Sequence, residues 1–372
     1  LLYITFIDFN AAGSSGSSVR PQKMYEAFGQ LGIQVKMLQG QQNRRQQRKK
    51  RVHEIINWLD TNRPDLCYVE PPSGPFFNYI DHVLLRKLHR MKVPIGLFYR
   101  DMFWKFGLGD ETPGVRARLK KIIVAWMHRF DWWLFMKHLS ILYFPTQAIT
   151  ELKSSQIPVK VLPPGCYRGG DEEAPYTNNN VPVGIYVGGT SEIYGLSKLL
   201  RAAWLLYDQG VKFRLKLICR KPEWDEFVKI NGLSPLPSWL EILHISGDQA
   251  LSVHYTEADF ALCPHRTGGY GDVTFSVKIM EYLSYLKPVV VTATKPMKNL
   301  VENYHIGIVT KDTEEDFAHG MRRMIEDIPL RDEFRKNCIR AREENLWIFR
   351  AQTVLEDLTD LTSMQKQKQD IV

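Results

Sequence analysis

Cys263-Pro-His-Arg-Thr-Gly-Gly-Tyr-Gly-Asp-Val-Thr-Phe-Ser-Val-Lys-Ile-Met-Glu-Tyr-Leu-Ser-Tyr-Leu-Lys-Pro-Val-Val-Val-Thr292 is the stretch that decides the fold. An apolar strand over 259–264 runs into a loop with three glycines, a helix follows, and a second apolar strand ends at Thr292. Strand, loop, helix, strand is the repeating unit of a parallel sheet. Ser276 stands where an N-cap is expected, and Lys278 and Glu281 lie three apart on one face of the helix. A glycine loop lets backbone amides approach a ligand closely, and the helix N-terminus behind it favours negative charge. Glu281 is then placed to accept hydrogen bonds from neutral hydroxyls, such as a ribose diol. Gly268, Gly269, Tyr270, Gly271 and Asp272 would line an attached sugar, with His265 at the strand end as a further contact. Loops of this kind also occur in doubly wound domains that bind nothing, so the stretch alone leaves both readings open.

Outward from it, the second half alternates regularly. Strands are expected over 183–187, 213–219, 240–244, 259–264, 289–292 and 307–309, with helices over 196–207, 223–230, 250–255, 278–286 and 314–326. Val187-Gly-Gly-Thr-Ser-Glu-Ile-Tyr-Gly195 opens a helix after the first of these strands. Gly188 and Gly189 permit a tight turn against a diphosphate, but the Gly-x-Gly-x-x-Gly order of a dinucleotide site is missing. Arg220 and Lys221 end the next strand, where cations neutralise a leaving diphosphate or simply sit in solvated loop.

The first half alternates as well, with strands over 3–9, 34–38, 66–70, 94–99 and 141–144 and helices over 21–31, 51–61, 81–91 and 115–139. After the first strand, Gly13, Ser14, Ser15 and Gly16 form a small-residue loop suited to phosphate or sugar hydroxyls, with Arg20 just beyond. Tyr99-Arg100-Asp101-Met-Phe-Trp104 ends the fourth strand. Asp101 there can orient or deprotonate an acceptor hydroxyl and Arg100 can meet an anion; an internal Arg-Asp ion pair is the equal alternative. Residues 166–181 read as a linker.

Charge is shared unevenly. Of the net +8, residues 1–165 hold 24 Lys/Arg against 12 Asp/Glu (+12) and the remainder 25 against 29 (−4). Arg44-Arg-Gln-Gln-Arg-Lys-Lys-Arg51 places six cations in eight residues, and the helix from Val115 mixes cations with Trp and Phe. Both suit an anionic membrane surface, or else an ordinary solvated face on a packed helix. Nucleic acid is disfavoured because no binding motif accompanies the charge. Five scattered cysteines without a Cys-x-x-Cys pair point to a reducing compartment, and no apolar run reaches bilayer length. The apolar run at residues 1–9 lacks a basic leader and reads as a strand, so a cytoplasmic location is expected. No Asp-x-Asp and no His/Cys cluster is present, so no metal or other cofactor is expected.

Lys278-Ile-Met-Glu281-Tyr-Leu-Ser-Tyr-Leu-Lys-Pro-Val-Val resembles the donor-binding signature of retaining GT-B glycosyltransferases, in particular glycosyltransferase family 4. In that family the Glu holds the nucleotide ribose. Two positions depart. The family's first Glu, eight residues earlier, is Val273 here, with Asp272 beside it as a possible substitute, and the family's Gly-Arg pair is Gly188-Gly189. Tyr99-Arg100-Asp101 is similar to segments of bacterial polysaccharide-type members. The resemblance implies an α/β chain of GT-B architecture, two Rossmann-like doubly wound domains (1–165 for the acceptor, 182–345 for the donor) with a cleft between them. Residues 346–372 would carry a helix crossing back to the first domain and a tail. It implies retaining, metal-independent transfer of a sugar from a nucleotide diphosphate, with a UDP-sugar expected, to a hydroxyl of a glycan or lipid-linked acceptor. Arg220, Lys221, Arg100 and Asp101 would carry the chemistry. A catalytically degenerate partner subunit and a nucleotide-sugar epimerase are the alternatives. Oligomeric state is not legible.

Overall fold

In the computed structural model, residues 1–9, 16–100, 115–150, 156–169, 179–233 and 235–370 are described. They form two compact units, Leu1–Pro164 with Trp347–Val372, and Gly165–Leu346.

The first unit comprises β1 (Leu2–Thr5), α1 (Gly16–Gln30), β2 (Lys36–Leu38), α2 (Arg45–Trp58), β3 (Cys67–Glu70) and α3 (Tyr79–Arg90). After these come β4 (Ile95–Phe98), α4 (Val115–His138), β5 (Ile141–Phe144), α5 (Gln147–Thr150), β6 (Val159–Val161) and, from the chain end, α13 (Trp347–Asp370). Its sheet has the order β2-β1-β3-β4-β5-β6, every pair parallel, with Leu2 opposite Cys67 and Thr5 opposite Glu70. β1, β3, β4 and β5 are buried at every position, which is why they read as largely apolar runs rather than alternating ones. α13 packs on α1 and β4, burying Ala351, Val354 and Leu358 completely. Its Asp357 accepts a hydrogen bond from Tyr143 Oη at 3.1 Å and pairs with Lys160.

The second unit comprises β7 (Val183–Val187), α6 (Leu196–Asp208), β8 (Arg214–Ile218), α7 (Lys221–Asn231), β9 (Leu240–Leu243), α8 (Asp248–Glu257) and β10 (Phe260–Cys263). It continues with α9 (Val277–Ser284), β11 (Val289–Thr292), α10 (Lys295–Tyr304), β12 (Gly307–Thr310), α11 (Glu314–Glu326) and α12 (Ile328–Glu343). The order is β12-β11-β10-β7-β8-β9, again all parallel. The ends of this unit meet where Cys166 N donates to Asn345 O at 2.7 Å. These two six-stranded parallel sheets give the expected α/β architecture.

Several elements differ from their reading in the sequence. α1 begins at Gly16 rather than near Pro21, which lies inside the helix, and the backbone carbonyl of Pro21 accepts Tyr3 Oη at 2.7 Å. α2 takes in most of the basic run, since Arg, Gln and Lys are good helix formers. Arg48 within it is fully buried on Asp81 (2.8 Å), and Arg51 pairs with Asp8, so two of the six cations serve the fold. β6 and α10 have no counterpart in the sequence reading; β6 is three residues long and only partly buried.

Candidate functional site

In a doubly wound sheet, ligands bind beyond the carboxyl ends of the strands where the chain order reverses. In the second unit that point lies between β7 and β10: the chain runs from β7 through β8 to β9 on one side and returns through β10 to β11 and β12 on the other. The loops leaving β7 and β10 therefore meet. Arg266 N donates to Ile193 O at 3.0 Å, and Arg266 pairs with Glu192. Gly195, at φ +69°, passes so close to β10 that a Cβ would stand 1.8 Å from Pro264 O. Here the sequence needs glycine for contact as much as for conformation.

The glycine loop after β10 is closed on itself. Gly268 and Gly269 are left-handed (φ +86° and +54°), Gly271 N donates to Gly268 O, and Asp272 Oδ2 accepts Gly268 N at 2.9 Å. The Asp272 carboxylate is thus committed to its own turn, and Val273 beside it is buried. Tyr270 is also buried, with Thr274 Oγ1 donating to its carbonyl. Ser276 occupies the N-cap position of α9, but its side chain makes no capping hydrogen bond.

Glu281, one turn into α9, is buried and accepts two hydrogen bonds on Oε2, from Lys278 Nζ at 2.7 Å and from Tyr255 Oη at 2.8 Å. Burial, and then the Glu281 charge, raises the Tyr255 phenol well above its ordinary value, so it remains a donor. His265 is half-buried, its ring centroid 5.4 Å from that of Tyr194 and its Nδ1 3.2 Å from Cys263 Sγ. Burial, with Lys198 adding, pushes its pKa down to about 4, which leaves a neutral imidazole.

Gly188 and Gly189 follow β7 directly, and there Gly188 N donates to Ile218 O and Tyr186 Oη to Gly189 O. Arg220 is the N-cap residue of α7 and Lys221 its first residue, at the end of the adjacent β8. Both are exposed and paired along the helix, Arg220 with Glu223 at 3.0 Å and Lys221 with Asp225 at 3.1 Å. Exposed pairs of this kind contribute only about 0–1 kcal/mol and yield readily to a better anion.

Lys198 and Asp312 escaped the sequence reading. Lys198, in the first turn of α6, is buried, donates to Thr292 Oγ1 at 2.8 Å and pairs with Asp312, whose other oxygen accepts Thr267 N at 2.8 Å and Thr267 Oγ1 at 3.0 Å. Burial alone would raise the Asp312 carboxyl, but hydrogen bonds from Lys198 and Thr267 bring it below its ordinary value. The pair ties α6, β11 and the start of the glycine loop together. Its one sequence signal is a lysine among the leucines at 196, 199 and 200, on the face that α6 buries.

In the first unit, Gly13, Ser14, Ser15 and Asp101 lie outside the described residues, and Gly16 is the first residue of α1. Arg20 is no ligand contact. It is buried, donating to Glu70 Oε1 at 2.9 Å and Leu162 O at 3.2 Å, with its guanidinium 3.4 Å from the Phe98 ring centroid. Arg100 follows β4 and pairs with Glu70 Oε2 at 3.6 Å, a partner the sequence reading did not name; the Arg-Asp pair it left open involves Asp101, outside the described residues. Arg100 also lines a small pocket with Tyr99, His128 and Asp131. Glu70, an acid closing an apolar strand, was the overlooked signal.

Residues 181–327, which hold all of the second unit's site geometry above, match the family described as Glycosyl transferases group 1. The second unit is thus similar to that family over those residues. No curated protein matches the chain in sequence. Among solved structures it is similar to the sucrose-phosphate synthase of Thermosynechococcus elongatus at TM-score 0.70, with 13% identity over 98% of this chain and 99% of that one. It is also similar to a glycosyltransferase of Rickettsia africae (TM-score 0.65, 11% identity, 97% and 98% covered). A third is Anabaena HepE in complex with UDP and glucose (TM-score 0.64, 15% identity, 96% and 99% covered). The fold is thus GT-B.

Proposed function

We propose that the chain transfers a sugar from a UDP-sugar to a hydroxyl of a glycan or lipid-linked acceptor, with retention at the anomeric carbon and without a metal ion, in polysaccharide assembly at the cytoplasmic face of a membrane. The observation that carries this is Glu281, whose Oε2 is taken by Lys278 and Tyr255. Its other oxygen is then the one offered to the two ribose hydroxyls, and an acceptor-only carboxylate suits a neutral diol. Two further features support a diphosphate beside it: the interlocked glycine loops, and the N-termini of α6 and α7 behind the carboxyl ends of β7 and β8. HepE, of the same fold, carries UDP and glucose.

In this reading Arg220 and Lys221 exchange their exposed carboxylate partners for the leaving diphosphate, supplying the charge that the missing Gly-Arg pair would have given. His265, neutral, donates to or accepts from a sugar hydroxyl, and Gly268 to Asp272 wall the donor sugar. The departing phosphate takes the acceptor proton, with Arg100 and Asp101 on the acceptor side. The test is incubation with a panel of UDP-sugars and glycan acceptors in EDTA. New product with the donor's anomeric configuration, read by NMR, is expected, and turnover restored only by a divalent ion would contradict the metal-free reading.

One observation favours a second reading. Val273 is buried and Asp272 is bound to Gly268 N, so neither stands ready to replace the family's first Glu. A subunit that binds the nucleotide without turning it over would fit that loop. Nucleotide binding with no product across the panel would select it.

A further inference from the structure

Helix α4 carries apolar side chains on two opposite faces. His128, Asp131 and Phe135 are buried against the first unit. Asp131 accepts Phe76 N and meets His82 Nε2, each at 2.8 Å. On the far side Leu119, Ile122, Ile123, Trp126, Phe130 and Trp133 are 47–64% exposed. At about 100° per residue these six positions fall within an arc of about 100°, centred roughly opposite the buried three, and they run about 21 Å along the axis. A continuous apolar stripe of this kind on an outer surface marks a binding face. Tyr79 of α3, 59% exposed, extends it, with its ring 6.5 Å from Phe130.

The charges say what the stripe meets. α4 contains six Lys or Arg and one acidic residue, and that residue is the buried Asp131. Arg118, Lys120, Lys121, Arg129 and Lys137 are exposed, so the outer face is apolar and cationic with no counter-charge from its own helix. Lys137 Nζ lies 3.5 Å from the Trp133 ring centroid and the Arg129 guanidinium 5.6 Å from that of Trp126. A second copy of this face would bring cations against cations. No helix among the described residues is long and apolar enough to cross a membrane. Aromatic rings flanked by cations on a helix in the plane match the headgroup–acyl boundary of an anionic bilayer.

We propose that the outer stripe of α4 is an in-plane docking face for an anionic bilayer, with Trp126, Phe130 and Trp133 seated at the boundary and the flanking cations on lipid phosphates. This sharpens the membrane location read above and names the helix face responsible. The test is sedimentation of the full chain with vesicles of phosphatidylcholine alone and of phosphatidylcholine with phosphatidylglycerol. The chain is expected to sediment with the anionic vesicles, weakly with the neutral ones, and less as salt is raised. At about 1 kcal/mol per cation near an anionic surface, R118E/K121E/R129E weakens partitioning at least about a hundredfold. The apolar variant I122S/W126S/W133S, all at exposed positions, also stays in the supernatant while its circular dichroism is unchanged. Wild-type chain left in the supernatant with anionic vesicles would overturn the proposal, as would undiminished sedimentation of I122S/W126S/W133S. So would a wild-type dimer in solution that I122S/W126S/W133S converts to a monomer, since a second copy would then cover the stripe. UDP binding on the same preparations reports on the donor site alone, so the two readings fail separately.

Discussion

Glu281 receives both of its hydrogen bonds on one oxygen, and Tyr255 supplies the one that α9 itself does not. Tyr255→Phe removes a donor to a buried charge, an interaction of roughly 1.5–3 kcal/mol. The carboxylate is freed to rotate, and nucleotide affinity is expected to fall about tenfold by calorimetry while the fold persists. His265 gives a pH signature. Its folded pKa, about 4, lies below the ordinary His value of about 6.5, so between those limits the unfolded chain binds more protons. Its contribution is fully present above pH ~6.5 and is lost as pH falls toward ~4. The melting temperature is expected to decline over that window, and His265→Gln to flatten the decline. Lys278 and Glu281 were legible because three-residue spacing on a helix is local geometry. Tyr255 was not, since 26 residues separate it from Glu281 and only the packing of α8 beside α9 brings them together. Arg20 misled for the same reason: its position after a glycine loop looked like a ligand contact, while Glu70, fifty residues on, had claimed it.

The loop after β7 and the loop after β10 act as one element. Gly195→Ala places a methyl against Pro264 O in a left-handed backbone and is expected to cost about 3 kcal/mol or more in denaturant unfolding. Asp312→Ala leaves Lys198 buried without its carboxylate. The cost of breaking a buried pair is about 3–5 kcal/mol. Because Asp312 keeps 17% side-chain exposure, about 2 kcal/mol is expected here, together with weaker nucleotide binding as Thr267 loses its anchor. Strand positions in the second unit were readable almost residue by residue, because buried parallel strands such as β7 and β11 are short, predominantly apolar runs. The pairing of their loops was not, because it follows from strand order, which no single stretch encodes. The basic run shows the converse: its density of charge was plain, yet Arg48 turns inward, since only the fold supplies Asp81 at 2.8 Å.

The chain closes its first unit with its last helix. Removing residues 347–372 would strip the partners of Tyr143 and Lys160 and uncover the faces that Ala351, Val354 and Leu358 seal. Calorimetry of that truncation is expected to lose the transition of the first unit and to keep that of the second, whose core runs from Tyr186 to Phe334. Two alternating series of strands and helices made the α/β architecture legible from the sequence, whereas the chemistry was legible only where a motif is local. The proposed donor site therefore rests on Glu281 and the two glycine loops more than on any cation. The most direct measurement is calorimetric titration with UDP, GDP, ADP and NAD in EDTA, on the wild-type chain and on Glu281→Ala. Micromolar binding of UDP that is lost in Glu281→Ala is the predicted result; no binding of any nucleoside diphosphate, or binding indifferent to Glu281, would contradict the donor site.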